Sequence, residues 1–174
     1  MKPLVAAAAL FAAAPAFATD ISEPFTGERA NSLEFHGGFT YYGNGLAAGL
    51  RYGIPIVDNG FIGPINNSVY ITFGADFYLL SRIYAFNGTN RGGVGFGIPI
   101  VLQWNFYFTD DWSAFGEVGV NPYFDSYTFQ GNGVYFGGAW AIAAVGGRYH
   151  LSDSLALIGR AGSPYISFGV ELSL

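Results

Sequence analysis

Apolar residues in this chain recur at every second position, in one run after another. In the longest run Phe96, Ile98, Ile100, Leu102, Trp104, Phe106 and Phe108 alternate with Gly95, Gly97, Pro99, Gln103 and Asn105. Successive side chains of a β-strand point to opposite faces, so a period of two marks a strand with one apolar face. The same alternation sets Leu33, Phe35, Phe39 and Tyr41 against Glu34, His36, Gly38 and Thr40. It sets Ile166, Phe168, Val170, Leu172 and Leu174 against Ser167, Gly169, Glu171 and Ser173. Eight strands are expected, at roughly 32–42, 46–57, 68–80, 94–108, 112–123, 134–150, 155–162 and 165–174.

Composition decides what the apolar face meets. In a soluble sandwich or a lipocalin-like barrel the other face would carry many Lys, Glu and Asp. Here charged residues are 11% of the chain, against about 25% in ordinary domains. The other face holds mostly Gly, Ser, Thr, Asn and Tyr, with isolated charges. Such a face suits the interior of a narrow barrel, with the apolar face turned to lipid. Aromatic residues gather near strand ends (Tyr41, Tyr42, Trp104, Phe108, Trp112, Tyr123, Phe124, Tyr149), like the girdles at membrane interfaces. A sheet in lipid must close, because unpaired edge groups cost several kcal/mol each. The expected fold is all-β: a closed, antiparallel, up-and-down transmembrane β-barrel of eight strands, with both termini periplasmic.

The first residues stand apart from this pattern. Lys2 precedes an apolar stretch that ends in Ala16-Phe17-Ala18. This is the form of a secretory signal peptide, cut between Ala18 and Thr19. The apolar run is shorter than the roughly 20 residues that span a bilayer. The expected organisation is a signal peptide at 1–18, a periplasmic segment at 19–31 and the barrel at 32–174. Without Lys2, six arginines oppose twelve acids, and 6 − 12 gives a net charge of −6. No basic patch is available to neutralise phosphates, so no nucleic acid partner is expected. With no cysteine there is no disulfide framework.

Loop lengths orient the barrel, since such barrels have short periplasmic turns and longer outer loops. Thr109-Asp110-Asp111 and Ser152-Asp153-Ser154 read as tight turns, whereas 81–93 and 125–133 read as outer loops. A sequon at Asn87 is a weak match. The connection after Val57 is too long for a periplasmic turn. The pentapeptide Gly-Ile-Pro-Ile-Val occurs at 53–57 and again at 97–101, and the same offset reaches Ala141-Ile142-Ala143-Ala144-Val145. On this repeat, strand two continues past Asp58 to a turn near Asn66 and Asn67. Trp140 and Ile142 then face lipid, and Arg148 faces lipid unless a bulge at Gly146–Gly147 turns it inward. Pro55 and Pro99 point inward as strand-bend positions, each giving up a ladder bond.

The inward stripe collects Glu34, His36, Arg51, Asp76, Glu117, Arg160 and Glu171. An eight-stranded barrel has room only to fill itself with side chains, and buried charges need partners. These seven therefore read as a lumen ion network. Arg51 and Arg160 are expected to partner Glu34 and Glu171. His150-x-Ser152 has the His-x-Ser arrangement of lipid A deacylases, but its predicted periplasmic place is the wrong side for an outer-leaflet substrate. No catalytic residue, metal ligand or cofactor site is assigned, and Gly92–Gly97 lacks the helix a phosphate loop requires.

The C-terminal strand reads Ser-Phe-Gly-Val-Glu-Leu-Ser-Leu. Its Ser167, Gly169, Val170, Leu172 and Leu174 resemble the C-terminal assembly signal of Gram-negative outer-membrane barrels. Leu174 stands where Phe is usual. The mature chain thus resembles a small eight-stranded outer-membrane β-barrel of the OmpA/OmpX-like type. That resemblance implies Sec export, periplasmic chaperones, insertion by the barrel-assembly machinery, and contact with outer-membrane lipid and lipopolysaccharide. A monomer is expected. The expected role is structural or surface-interacting, with a plugged lumen. The alternatives are a passive conduit for small apolar solutes and, as a minor one, a lipid A-modifying hydrolase.

Overall fold

The structure, a computed structural model, describes residues 21–41, 44–84, 90–125 and 135–174. The signal peptide with Ala18 and Thr19, the sequon at Asn87, Tyr42 and most of the loop at 125–133 lie outside them. Nine strand segments follow one another: β1 (Ser32–Thr40), β2 (Gly45–Val57), β3 (Asn67–Tyr84), β4 (Asn90–Gly97), β5 (Ile100–Tyr107), β6 (Trp112–Asp125), β7 (Tyr135–Ser152), β8 (Leu155–Ser163) and β9 (Tyr165–Ser173). Each pairs antiparallel with its neighbours, and β1 pairs with β9, so the sheet closes. Segments β4 and β5 are two halves of one stave, both lying between β3 and β6. The barrel therefore has eight staves, as the alternation predicts.

The break between β4 and β5 shows what proline does to a wall. Gly97 faces Tyr123 and Ile100 faces Val120, so the register with β6 passes unchanged across the gap. Asp76 faces Gly97 and Phe73 faces Ile100, so it also holds with β3. The Gly74 N–H donates to Pro99 O at 3.2 Å and the Ile98 N–H to Pro122 O at 3.0 Å. The return bonds are missing, because neither Pro99 nor Pro122 has an N–H to give. Two prolines on adjacent staves thus remove bonds at successive positions without shifting the register. At Pro55 the outcome differs. Pro55 faces Tyr70 and Val57 faces Val69, so Ile56 is an inserted bulge residue.

Two expectations from the pentapeptide repeat fail. Strand β2 ends at Val57 and does not continue past Asp58. Residues 58–66 form an irregular segment of bends and turns instead. It is held by local bonds: the Gly60 N–H donates to Asn67 O, and the Asn67 amide donates to Ile62 O and Ile65 O. The facing of β7 is also reversed. Ile142 and Ala144 are buried, Arg148 points inward, and Ala141, Ala143 and Val145 are exposed. The ladder at Gly146 and Gly147 is unbroken. The bulge lies higher, where Tyr123 faces Gly138 but Phe124 faces Phe136. Gly138 sits at φ +121°, a conformation that favours glycine. This bulge exchanges the faces of β7, so that Phe136 is exposed above it and Ile142 buried below it.

Polarity is inverted relative to a soluble domain. Among the described residues thirty large hydrophobic side chains are exposed, reaching 69% at Phe39 and 70% at Phe168. Monomeric soluble proteins rarely show apolar patches beyond a few hundred Å². All the seven titratable residues assigned to the lumen point inward, with Glu34, His36, Arg51, Asp76, Glu117 and Arg160 buried. A smaller apolar cluster of Ala47, Tyr78, Leu80, Tyr123 and Tyr165, with Trp140 packed on it, fills the lumen toward the end opposite the termini. Tyr123 stacks on Trp140 at 4.2 Å and so belongs to this plug, not to an outer girdle.

Candidate functional site

The inward charges form a connected network across the barrel. At its centre, Arg160 of β8 donates from Nη1 and Nη2 to the two oxygens of Glu34 on β1, each at 2.8 Å. Its Nε donates to Glu117 Oε1 of β6, also at 2.8 Å. Arg51 of β2 donates to Glu117 Oε2 at 3.1 Å and to the Tyr165 hydroxyl at 2.6 Å. Tyr165 in turn donates to Asp76 at 2.9 Å, as does Tyr78 at 3.0 Å. A planar guanidinium with five donors can hold two carboxylates at once, which an ammonium cannot match in fixed geometry.

His36 closes the network on the seam side. Its Nδ1 lies 3.0 Å from Glu34 Oε1 and its Nε2 3.2 Å from Asp76 Oδ1. Its Nε2 also lies 3.2 Å from the Tyr165 hydroxyl. Three guanidiniums, of Arg51, Arg148 and Arg160, thus lie among four carboxylates, those of Glu34, Asp76, Glu117 and Glu171, with His36 between two of the latter. Two glycines make room for this cluster. A Cβ at Gly49 would collide with Asp76 Oδ1, and one at Gly169 would collide with Phe35 O on the adjacent strand.

A second layer lies nearer the termini. Arg148 Nε is 2.8 Å from Glu171 Oε1, while its Nη atoms donate to Asn105 Oδ1 at 2.8 Å and Gln103 Oε1 at 2.6 Å. Its guanidinium also lies 4.4 Å from the Phe115 ring centroid. Gln103 joins the layers, since its amide nitrogen donates to Glu117 at 3.0 Å. The expected pairing of Arg160 with Glu34 is present. Glu171 pairs with Arg148, a residue that the expected facing of β7 directs to lipid. Arg51 pairs with Glu117 instead of with a seam carboxylate.

Other singled-out residues fall in distinct places. Ser167 is buried and accepts from Arg160 at 3.4 Å. Val170 and Leu174 are exposed on the outer face, and the Leu174 N–H donates to Asn31 O at 2.9 Å. His150 Nε2 meets the Ser113 hydroxyl at 3.0 Å, while Ser152 is exposed at the β7–β8 turn. His150 and Ser152 are therefore not a bonded pair. Among the described residues no group of three or more His, Cys, Asp or Glu is arranged to hold a metal ion. In the side-chain network the ion-paired groups are at most 12% exposed. What this arrangement can do is fill the lumen and tie all eight staves together. No protein-family model matches the chain, and no curated protein matches it.

Proposed function

We propose that this chain is an integral outer-membrane β-barrel with a structural or surface-interaction role, its lumen closed by the ion network and its termini on the periplasmic side. The observation that carries this reading is the inversion of polarity: charges inside, large apolar side chains outside. In lipid that arrangement is the favourable one, since an outward Arg or Lys costs about 2–4 kcal/mol at the bilayer midplane. Short connections at the terminal end, 108–111 and 153–154, support the periplasmic assignment. The C-terminal strand supports assembly through the outer-membrane route. A conduit for apolar solutes with a lateral exit is disfavoured, because the register holds on both sides of Pro99. A hydrolase is disfavoured because His150 bonds Ser113 inside the barrel while Ser152 faces out.

The three tryptophans test the reading. Trp104 and Trp112 lie on the outer face and Trp140 inside. Single-tryptophan variants refolded into vesicles of brominated phosphatidylcholine should show strong quenching of Trp104 and Trp112 and weak quenching of Trp140. Equal quenching of all three, or none of any, would remove the basis for a membrane-spanning barrel.

A further inference from the structure

We propose that residues 21–31 form a plug that shuts the end of the barrel carrying the termini, with Arg29 as its latch. This segment has no regular secondary structure. Ser22, Glu23, Pro24, Thr26, Gly27 and Glu28 are exposed, yet Arg29 is only 8% exposed. Its guanidinium lies 4.0 Å from the ring centroids of both Phe25 and Tyr107. The same group donates from Nε to Asp58 O at 2.8 Å and from Nη2 to Asn66 Oδ1 at 2.5 Å. Its backbone N–H donates to Asp58 Oδ1 at 2.8 Å.

The irregular connection 58–66 thereby acquires a purpose. A tight turn, like the two other connections at this end, would present no Asp58 carbonyl and no Asn66 amide to receive a guanidinium. The long connection supplies both, and it also accepts the segment's start, since the Asn66 N–H donates to Ile21 O at 2.7 Å. The barrel wall adds a third hold, where the Tyr70 hydroxyl donates to Ala30 O at 2.9 Å. Beneath the plug is a small cavity of about 30 Å³, lined by Arg29, Tyr70, Arg148, His150, Glu171 and Ser173 among others. A water molecule needs roughly 10–15 Å³ and two to four polar partners, so this cavity is polar and large enough for one. The plug thus separates the second layer of the ion network, and the Ser113–His150 pair beside it, from bulk solvent. Most of the segment is exposed and only Arg29 is deeply inserted. Loss of that one side chain should release the whole plug while the network above it still closes the lumen.

The chain has no cysteine, so thiol labelling is site-specific. The experiment introduces Ser173→Cys, at the cavity, or Ser152→Cys, at an exposed turn, into the full chain folded in detergent micelles. Each is reacted with a charged maleimide, with and without Arg29→Ala. The expected result is slow labelling of position 173 relative to 152 in the otherwise unchanged protein. With Arg29→Ala the rate at 173 should rise at least tenfold, and that at 152 should stay the same. An unchanged ratio of the two rates would overturn the proposal. Should Arg29→Ala not give the heat-modifiable folded band on a gel, Arg29→Gln serves instead. It keeps an amide able to reach Asn66 but removes the cation between the rings, and the same rise at 173 is required of it. The readout is taken in micelles, so it stands apart from the lipid test of the membrane reading.

Discussion

Replacing Arg160 by methionine should be the most damaging single change in the lumen. The guanidinium is 2% exposed at its side chain and bonds three carboxylate oxygens, two on Glu34 and one on Glu117. Methionine preserves much of the volume and removes the charge. Glu34 then keeps His36 at 3.0 Å, while Glu117 keeps Arg51 at 3.1 Å and Gln103 at 3.0 Å. Neither carboxylate is left wholly alone, but four buried carboxylates then share two guanidiniums and His36. Removing one partner of a buried ion pair costs about 3–5 kcal/mol. A loss in that range is expected for Arg160→Met, read from urea unfolding in phospholipid vesicles by tryptophan fluorescence. The companion variant Glu34→Gln/Arg160→Met restores the charge count and should recover part of the loss, with a coupling energy of about 0.5–3 kcal/mol in the double-mutant cycle. A single-variant effect within about 0.5 kcal/mol of the parent, the range of ordinary surface changes, would refute the view that this network holds the lumen together.

Other expectations follow from the same geometry. Arg148→Met strands one carboxylate, Glu171, and two neutral amides, so the same unfolding assay should show a smaller loss than Arg160→Met. Gly49→Ala drives a methyl group into Asp76 and the Ala75 carbonyl, and should cost about 1–3 kcal/mol as an overpacking change. Pro99→Ala supplies the missing donor opposite Gly74, and hydrogen exchange should find the new amide protected; rapid exchange there would mean the wall is open at this point.

The sequence made the facing of most staves legible, because small or polar residues and bulky apolar residues keep one parity along them; on β8, where Ile158 shares the inward face, Arg160 alone marked it. It misled on β7. There Trp140 and Ile142 are apolar yet point inward, because the lumen toward the far end is itself filled by aromatic rings. The better signal was Arg148, whose charge favours the inward face and whose parity Ile142 and Ala144 share. Arg29 was not legible at all. Its partners are a backbone carbonyl, an amide and two rings drawn from three separate stretches, and no spacing along the chain announces such a meeting. The Pro99 break depends on Pro122 as well, since the two prolines remove bonds on opposite sides of a single stave. Repetition of a pentapeptide pointed to Pro55 and Pro99 as equivalents, but one marks a bulge and the other leaves the register intact.

The central claim is that side chains close this barrel along its length. Planar-bilayer recordings of the purified, folded protein measure that directly. The account predicts no stepwise conductance, for the parent protein and equally for Arg29→Ala, because the plug at the terminal end can be released while Arg51, Arg160 and Glu117 still fill the centre. Reproducible single-channel steps from the parent protein would contradict it.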